Sequence, residues 1–213
     1  MHWIVQFIGS SVGKKLLMAL TGSCFLVFLI VHLAGNLTLY GGKEMFNSYA
    51  EHLHGLGPIL IIAEWGLVFL ALIHVITGTL LFFQNLKARP ERYVINKRAG
   101  GRTNSSATMP YTGFLILIFV VFHLLNFHFV DKSTTTIYQI VDNAFESIIY
   151  VMLYVAAMII LALHIRHGFW SLFQTLGANH PKYMPLIMGA SIVLSLIFGF
   201  GFGYLPIYMT ISG

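Results

Sequence analysis

The chain has 213 residues, of which 57% are hydrophobic and only 9% charged. A soluble domain carries about 25% charged residues, so an ordinary water-soluble fold is excluded and a bilayer is the expected solvent. The formal charge of +5 rests on basic residues that border apolar runs, with no recognition module beside them, so nucleic acid is not an expected partner.

An apolar run of about 20 residues spans the hydrocarbon core. Five such runs can be read, at roughly 14–40, 57–86, 109–131, 142–176 and 182–210. The expectation is a single all-α integral membrane domain over 1–213, a bundle of five transmembrane helices. Residues 1–13 (MHWIVQFIGSSVG) are mildly amphipathic and suit the interface. Lys14 and Lys15 precede a run too long for a signal peptide, and no small-residue cleavage site follows, so the first helix is expected to be retained. It ends at Gly41-Gly42. The connection KEMFNSYAEHLHGLG carries His52 and His54, expected to be solvated, and leads to Pro58, a helix start.

Helix two ends near Leu86 and is followed by the basic, Gly- and Ser-containing stretch KARPERYVINKRAGGRTNSSATMP. Helix three begins after Pro110 and stops at Asp131. The loop KSTTTIYQIVDNA precedes helix four, which continues into LFQTLG, and the turn ANHPKY leads to helix five, ending in FGFGFGYLP. No repeat is evident. Cys24 is the only cysteine, which excludes an internal disulfide, a Cys-ligated iron–sulfur cluster and covalent C-x-x-C-H haem attachment.

Five spans put the two termini on opposite sides. Lys14, Lys15, Lys87, Arg89, Arg92, Lys97, Arg98, Arg102, Arg166 and Lys182 fall on the N-terminal side, against Lys43 and Lys132 on the other. That asymmetry predicts a cytoplasmic N-terminus.

Four histidines stand alone in four different spans: His32, His74, His123 and His164. An ionisable group in a membrane span is costly and marks function. His32 and His123 each lie seven residues before the end of an outward-running helix, roughly 10 Å from the outer edge. His74 and His164 lie nine residues before the end of an inward-running helix, about 14 Å from the inner edge. They sort into an outer pair, His32 with His123, and an inner pair, His74 with His164. In a core of about 30 Å the two levels would differ by only ~6 Å, so tilt and sideways offset would have to separate two haems. Gly78 and Gly168 follow the inner histidines by one turn and Gly22 and Gly35 flank His32. These could admit a flat macrocycle or simply pack helices. A lone membrane histidine can also be a packing residue bonded to a carbonyl. Four that pair by depth, none sharing a helix, weaken that reading. His167, three residues from His164, is the competing ligand; His2, His128 and His180 lie at boundaries or in loops.

The stretches FLVFLIVHLAGN with FNSYAEHL, LIHVITG, FVVFHLLN and LHIRHGFWSLFQTLGANHPKY carry a resemblance. Over nearly its whole length the chain resembles the di-haem, five-helix cytochrome b subunit of succinate dehydrogenases and fumarate reductases. The resemblance implies one haem b on His74 and His164 near the cytoplasm and a second on His32 and His123 near the outer face. It implies a flavoprotein subunit, where succinate and fumarate interconvert, and an iron–sulfur subunit. This chain would pass electrons between those clusters and a quinone, menaquinone in the first instance, in a bacterial cytoplasmic membrane. Assembly as a dimer of heterotrimers is part of the same expectation. The dicarboxylate site is not expected in this chain, and the basic loop 87–102 is a docking surface for the soluble subunits or a topology signal alone.

Each ligating imidazole should donate its second N–H to a nearby acceptor, for which Thr77, Ser23 and Asn126 are candidates. Haem propionates need cations: Arg166, Lys87 or Arg89 on the inner side, Lys43 or Lys132 on the outer. Glu64 is the only acid well inside an apolar run, ten residues before His74, and so about 15 Å towards the outside. It is either the group that exchanges protons with quinone or a protonated carboxyl bonded to a neighbouring helix. The competing readings are another di-haem anchor, of hydrogenase, formate dehydrogenase or nitrate reductase type, and a haem-free proton channel or transporter. Quinol cytochromes of the bc type carry two histidines on each of two helices, unlike this chain. The inverted repeats of many transporters are not evident.

Overall fold

A computed structural model describes residues 2–88 and 104–212, and among these the chain is all-helical. Eight α-helices follow in order: α1 (His2–Gly9), α2 (Ser11–Asn36), α3 (Gly42–His54), α4 (Pro58–Lys87), α5 (Asn104–His123), α6 (Ile137–Phe145), α7 (Ile148–Thr175) and α8 (Met184–Ser212). A 3₁₀ segment, Leu37–Gly41, joins α2 to α3, and a π turn, Leu124–His128, extends α5. Five helices are long and apolar enough to cross a membrane, as five runs were expected to. Arg89, Arg92, Lys97, Arg98 and Arg102 of the basic loop lie outside the described residues.

Local chemistry sets the helix ends. Ser10 caps α2 by accepting from the Gly13 N–H at 3.0 Å. Pro58 opens α4, where its missing N–H costs nothing, after Gly57 turns the chain at φ 55°. Thr136 and Gln139 form a capping box on α6. Two short helices differ from the sequence expectation. Residues 42–54 and 137–145 were read as connections, the latter partly as the start of a span, yet form α3 and α6. Both are amphipathic rather than uniformly apolar. They bury Phe46, Val141 and Phe145 with Leu205 and Met209 of α8 in a core that covers one end of the bundle. The Tyr138 N–H donates to Asn47 Oδ1 at 3.0 Å, tying α6 to α3.

The helices that carry the four histidines form a ring: α2 packs on α4 and α7, and α5 packs on α7 and α4. α2 and α5 are therefore diagonal across the bundle, as are α4 and α7. α8 lies against α7 and α2. With lipid as apolar as leucine, small residues and close packing hold membrane helices together. Here Ser191, Ser195 and Phe198 of α8 are buried, and a Cβ at Gly199 would stand 3.1 Å from that of Ala162. The outer surface is apolar instead: Ile62 is 72% and Trp65 69% exposed, with Val27, Phe69 and Phe200 similarly bare. Such continuous apolar exposure belongs in a bilayer, not in water.

Candidate functional site

His74 projects from α4 towards α2, where its Nδ1 lies 2.8 Å from Thr21 Oγ1. The Thr21 hydroxyl also donates to the Leu17 carbonyl at 2.7 Å, an arrangement in which its oxygen accepts from the imidazole. In the tautomer with its proton on Nδ1, His74 donates to Thr21 Oγ1 and leaves the Nε2 lone pair free. His164 of α7 repeats the arrangement on α5. Its Nδ1 is 3.1 Å from Thr112 Oγ1, and Thr112 donates to the Met109 carbonyl at 3.0 Å. Both threonines are buried. A glycine follows each: a Cβ at Gly22 would meet His74 Cε1 at 3.6 Å, and one at Gly113 would meet His164 Cε1 at 3.3 Å.

The sequence reading missed these threonines. Its candidates are engaged differently: Ser23 donates to the Leu20 carbonyl and Asn126 to that of Phe122, while the Nδ1 of His74 is already taken by Thr21. A signal was present. Met18, Thr21, Gly22, Phe28 and His32 recur 91 residues later as Met109, Thr112, Gly113, Phe119 and His123. His74 and Gly78 recur 90 residues later as His164 and Gly168. The expectation of no repeat is therefore corrected: α2 with α4 and α5 with α7 are two copies of one helix pair. Only six positions in a 15-residue stretch recur, Leu26 as Leu117 among them, too sparse a pattern to stand out among apolar residues. Gly78 and Gly168 also behave alike. Each seats the methyl end of a methionine from the partner helix, Met18 or Met109, which is the helix-packing alternative for those glycines. Gly35 seats the ring of Tyr49.

His32 and His123 meet across the α2–α5 diagonal, ring centroids 5.9 Å apart and planes at 87°. Two imidazoles bound to one metal at about 2 Å per bond would hold their centroids roughly 6 Å apart, a spacing that edge-to-face packing of two rings also gives. Their surroundings are aromatic rather than hydroxylic. Phe28 stacks on His32 at 5.1 Å and Phe202 lies at 5.6 Å, while Phe119, Phe127 and Tyr154 surround His123. His123 Nδ1 is buried with no hydrogen-bond partner.

The vertical separation of the pairs differs from the edge-based expectation. His74 sits at the level of Thr21, and His32 lies eleven residues further along α2; the same eleven residues separate Thr112 from His123. At ~1.5 Å per residue this is roughly 16 Å, not ~6 Å. The discrepancy arises because α4, with 30 residues, is about 45 Å long and overruns a 30 Å core, so distances counted back from helix ends misplace the levels.

His167 stands on Trp170 edge-on at 5.0 Å, with a buried Nδ1 and no threonine partner. The duplicated clamp thus singles out His164. Glu64 Oε1 lies 4.0 Å from His128 Nδ1, each side chain 43% exposed, which sets the acid beside the helix of His123. Arg166 is exposed and, two residues from His164, points to another face of α7. Lys87 and Lys43 make no contact with the histidines, and Lys132 Nζ donates to the His128 carbonyl. His52 and His54 are exposed, as expected. Near His123 an open cleft of about 490 Å³ is lined by Asn126, Thr135, Asn143, Ser147 and Tyr150. Among the described residues no three His, Cys, Asp or Glu side chains converge to hold a metal ion.

Comparison with known proteins adds no family: no family model, curated protein or solved structure matches this chain.

Proposed function

We propose that the chain is the membrane-anchoring, quinone-reactive cytochrome b subunit of a succinate:quinone oxidoreductase, a succinate dehydrogenase or fumarate reductase. His32 with His123, and His74 with His164, would each hold one haem b; the iron supplies one-electron transfer between the iron–sulfur clusters of a partner and menaquinone. One observation carries this reading: four helices each contribute one imidazole, His32 meeting His123 while His74 and His164 are held by equivalent threonines roughly 16 Å away along α2 and α5. Thr21 and Thr112 support it by directing Nε2 of His74 and His164 away from the helix that holds them. The aromatic side chains around His32 and His123 would exclude water from the second pair.

Glu64, beside His128, is the candidate for proton exchange with the quinone at the level of His32 and His123. Arg166, exposed on another face of α7 from His164, stays a proposal as the cation for a propionate of the inner haem. The positive-inside asymmetry supports a cytoplasmic N-terminus, in this reading in a bacterial membrane, with the flavoprotein and iron–sulfur subunits docking on the side of loop 87–102. A dimer of such heterotrimers completes the proposal. The test is purification from membranes with a reduced-minus-oxidised spectrum. Two b haems per chain, copurifying with a flavin subunit and succinate–quinone activity, are expected; a chain free of haem overturns the reading.

A further inference from the structure

We propose that Thr21 and Thr112 are matched positioning residues that lower the potential of one haem centre and leave the other untouched. The inference rests on the proposed haem ligation and goes beyond it, since it assigns the chain a built-in difference between its two centres. Each hydroxyl oxygen lies within hydrogen-bond distance of an imidazole Nδ1 and of a helix carbonyl, Leu17 or Met109, to which it donates. With Nε2 bound to iron, Nδ1 would carry the ring proton, and this sets the direction of both bonds. An imidazole whose N–H is hydrogen-bonded is a more basic ligand through its other nitrogen. A more basic axial ligand favours ferric over ferrous iron and lowers the reduction potential.

The other centre has no such device. His123 Nδ1 is buried without a partner, and phenylalanine rings occupy the neighbourhood of both His32 and His123. The duplication makes this contrast informative. Each copy of the helix pair carries a Thr-Gly clamp at one level and a bare histidine eleven residues on. Because the clamped histidines lie on diagonal helices, the two copies complete one clamped pair and one unclamped pair.

The test uses the full chain, purified in detergent with its haem, in Thr21→Val, Thr112→Val, Thr21→Ser and Thr112→Ser forms. Redox titration and the ferric low-spin resonance signals are read for each haem separately. Both valine variants should raise the midpoint potential of the same single haem, leave the second unmoved, and be restored by serine. A valine variant that loses one haem supports the proposal only if both variants lose the same one and serine retains it. Unchanged potentials, shifts of different haems in the two valine variants, or failure of serine to restore would each overturn it. A wild-type chain that binds no haem instead overturns the functional reading beneath it, so the two failures are distinguishable. In the haem-free chain, ¹⁵N shifts of His74 and His164 should report Nδ1 protonation, and the Nε2 tautomer would also overturn the proposal.

Discussion

His32 and His123, 91 residues apart in the chain, cross with their ring planes nearly perpendicular and their centroids 5.9 Å apart. They come from diagonal helices that do not need each other for packing, since each is already held by two neighbours. These imidazoles are half-buried, and the His123 Nδ1 atom, buried without a partner, carries the cost of an unsatisfied polar group.

Single substitutions therefore divide the histidines. Alanine at His32 or His123 should remove one haem, and alanine at His74 or His164 the other, taking the haem-to-chain ratio from two to one. His167→Ala should retain both. Pyridine haemochrome assay of the purified variants checks this, and two haems surviving in every variant would reject the ligand assignment.

Glu64→Gln keeps the size and polarity of the side chain but cannot carry a proton. If this acid serves the quinone, turnover should fall about 100-fold or more, the ordinary contribution of a positioned acid–base group. Haem content should not change. Normal quinone turnover in the variant would show that the carboxyl is only a partner of His128.

The α7–α8 contact makes a stability prediction. Gly199→Leu drives a side chain into Ala162, where even a Cβ stands at 3.1 Å, and overpacking of this kind costs about 1–3 kcal/mol. Gly189→Leu on the same helix meets nothing within 4 Å and should be neutral. Unfolding in mixed detergent micelles separates the two; equal stability of both variants would mean the α7–α8 packing is not tight.

Asp131, in the loop after the π turn, accepts from the Ser133 N–H at 2.9 Å, and this bond holds its carboxyl below the ordinary value. A depressed folded value means the bond contributes fully above the unfolded pKa and is lost as pH falls through the folded one. Hydrogen exchange at the Ser133 amide should therefore show protection at neutral pH that disappears in acid. In Asp131→Ala the protection should be absent at every pH; protection that persists there would assign it to another acceptor.

Much of this was legible in the residues alone. Five membrane-length helices follow from apolar run length, and four candidate ligands stand out because a single imidazole in an apolar span is conspicuous. The pairing by depth also came from residue counts, because rise per residue is constant along a helix. These are local properties, carried by each segment whatever it packs against. What holds each imidazole was decided only by tertiary structure. Thr21 and His74 are 53 residues apart, Thr112 and His164 52, and neither partner is marked until two helices are set side by side at one rotation and one height. The separation of the two levels likewise needed a neighbouring helix as its ruler, because chain ends that overrun the lipid give no fixed origin. The duplication became visible last, when the same contacts appeared twice.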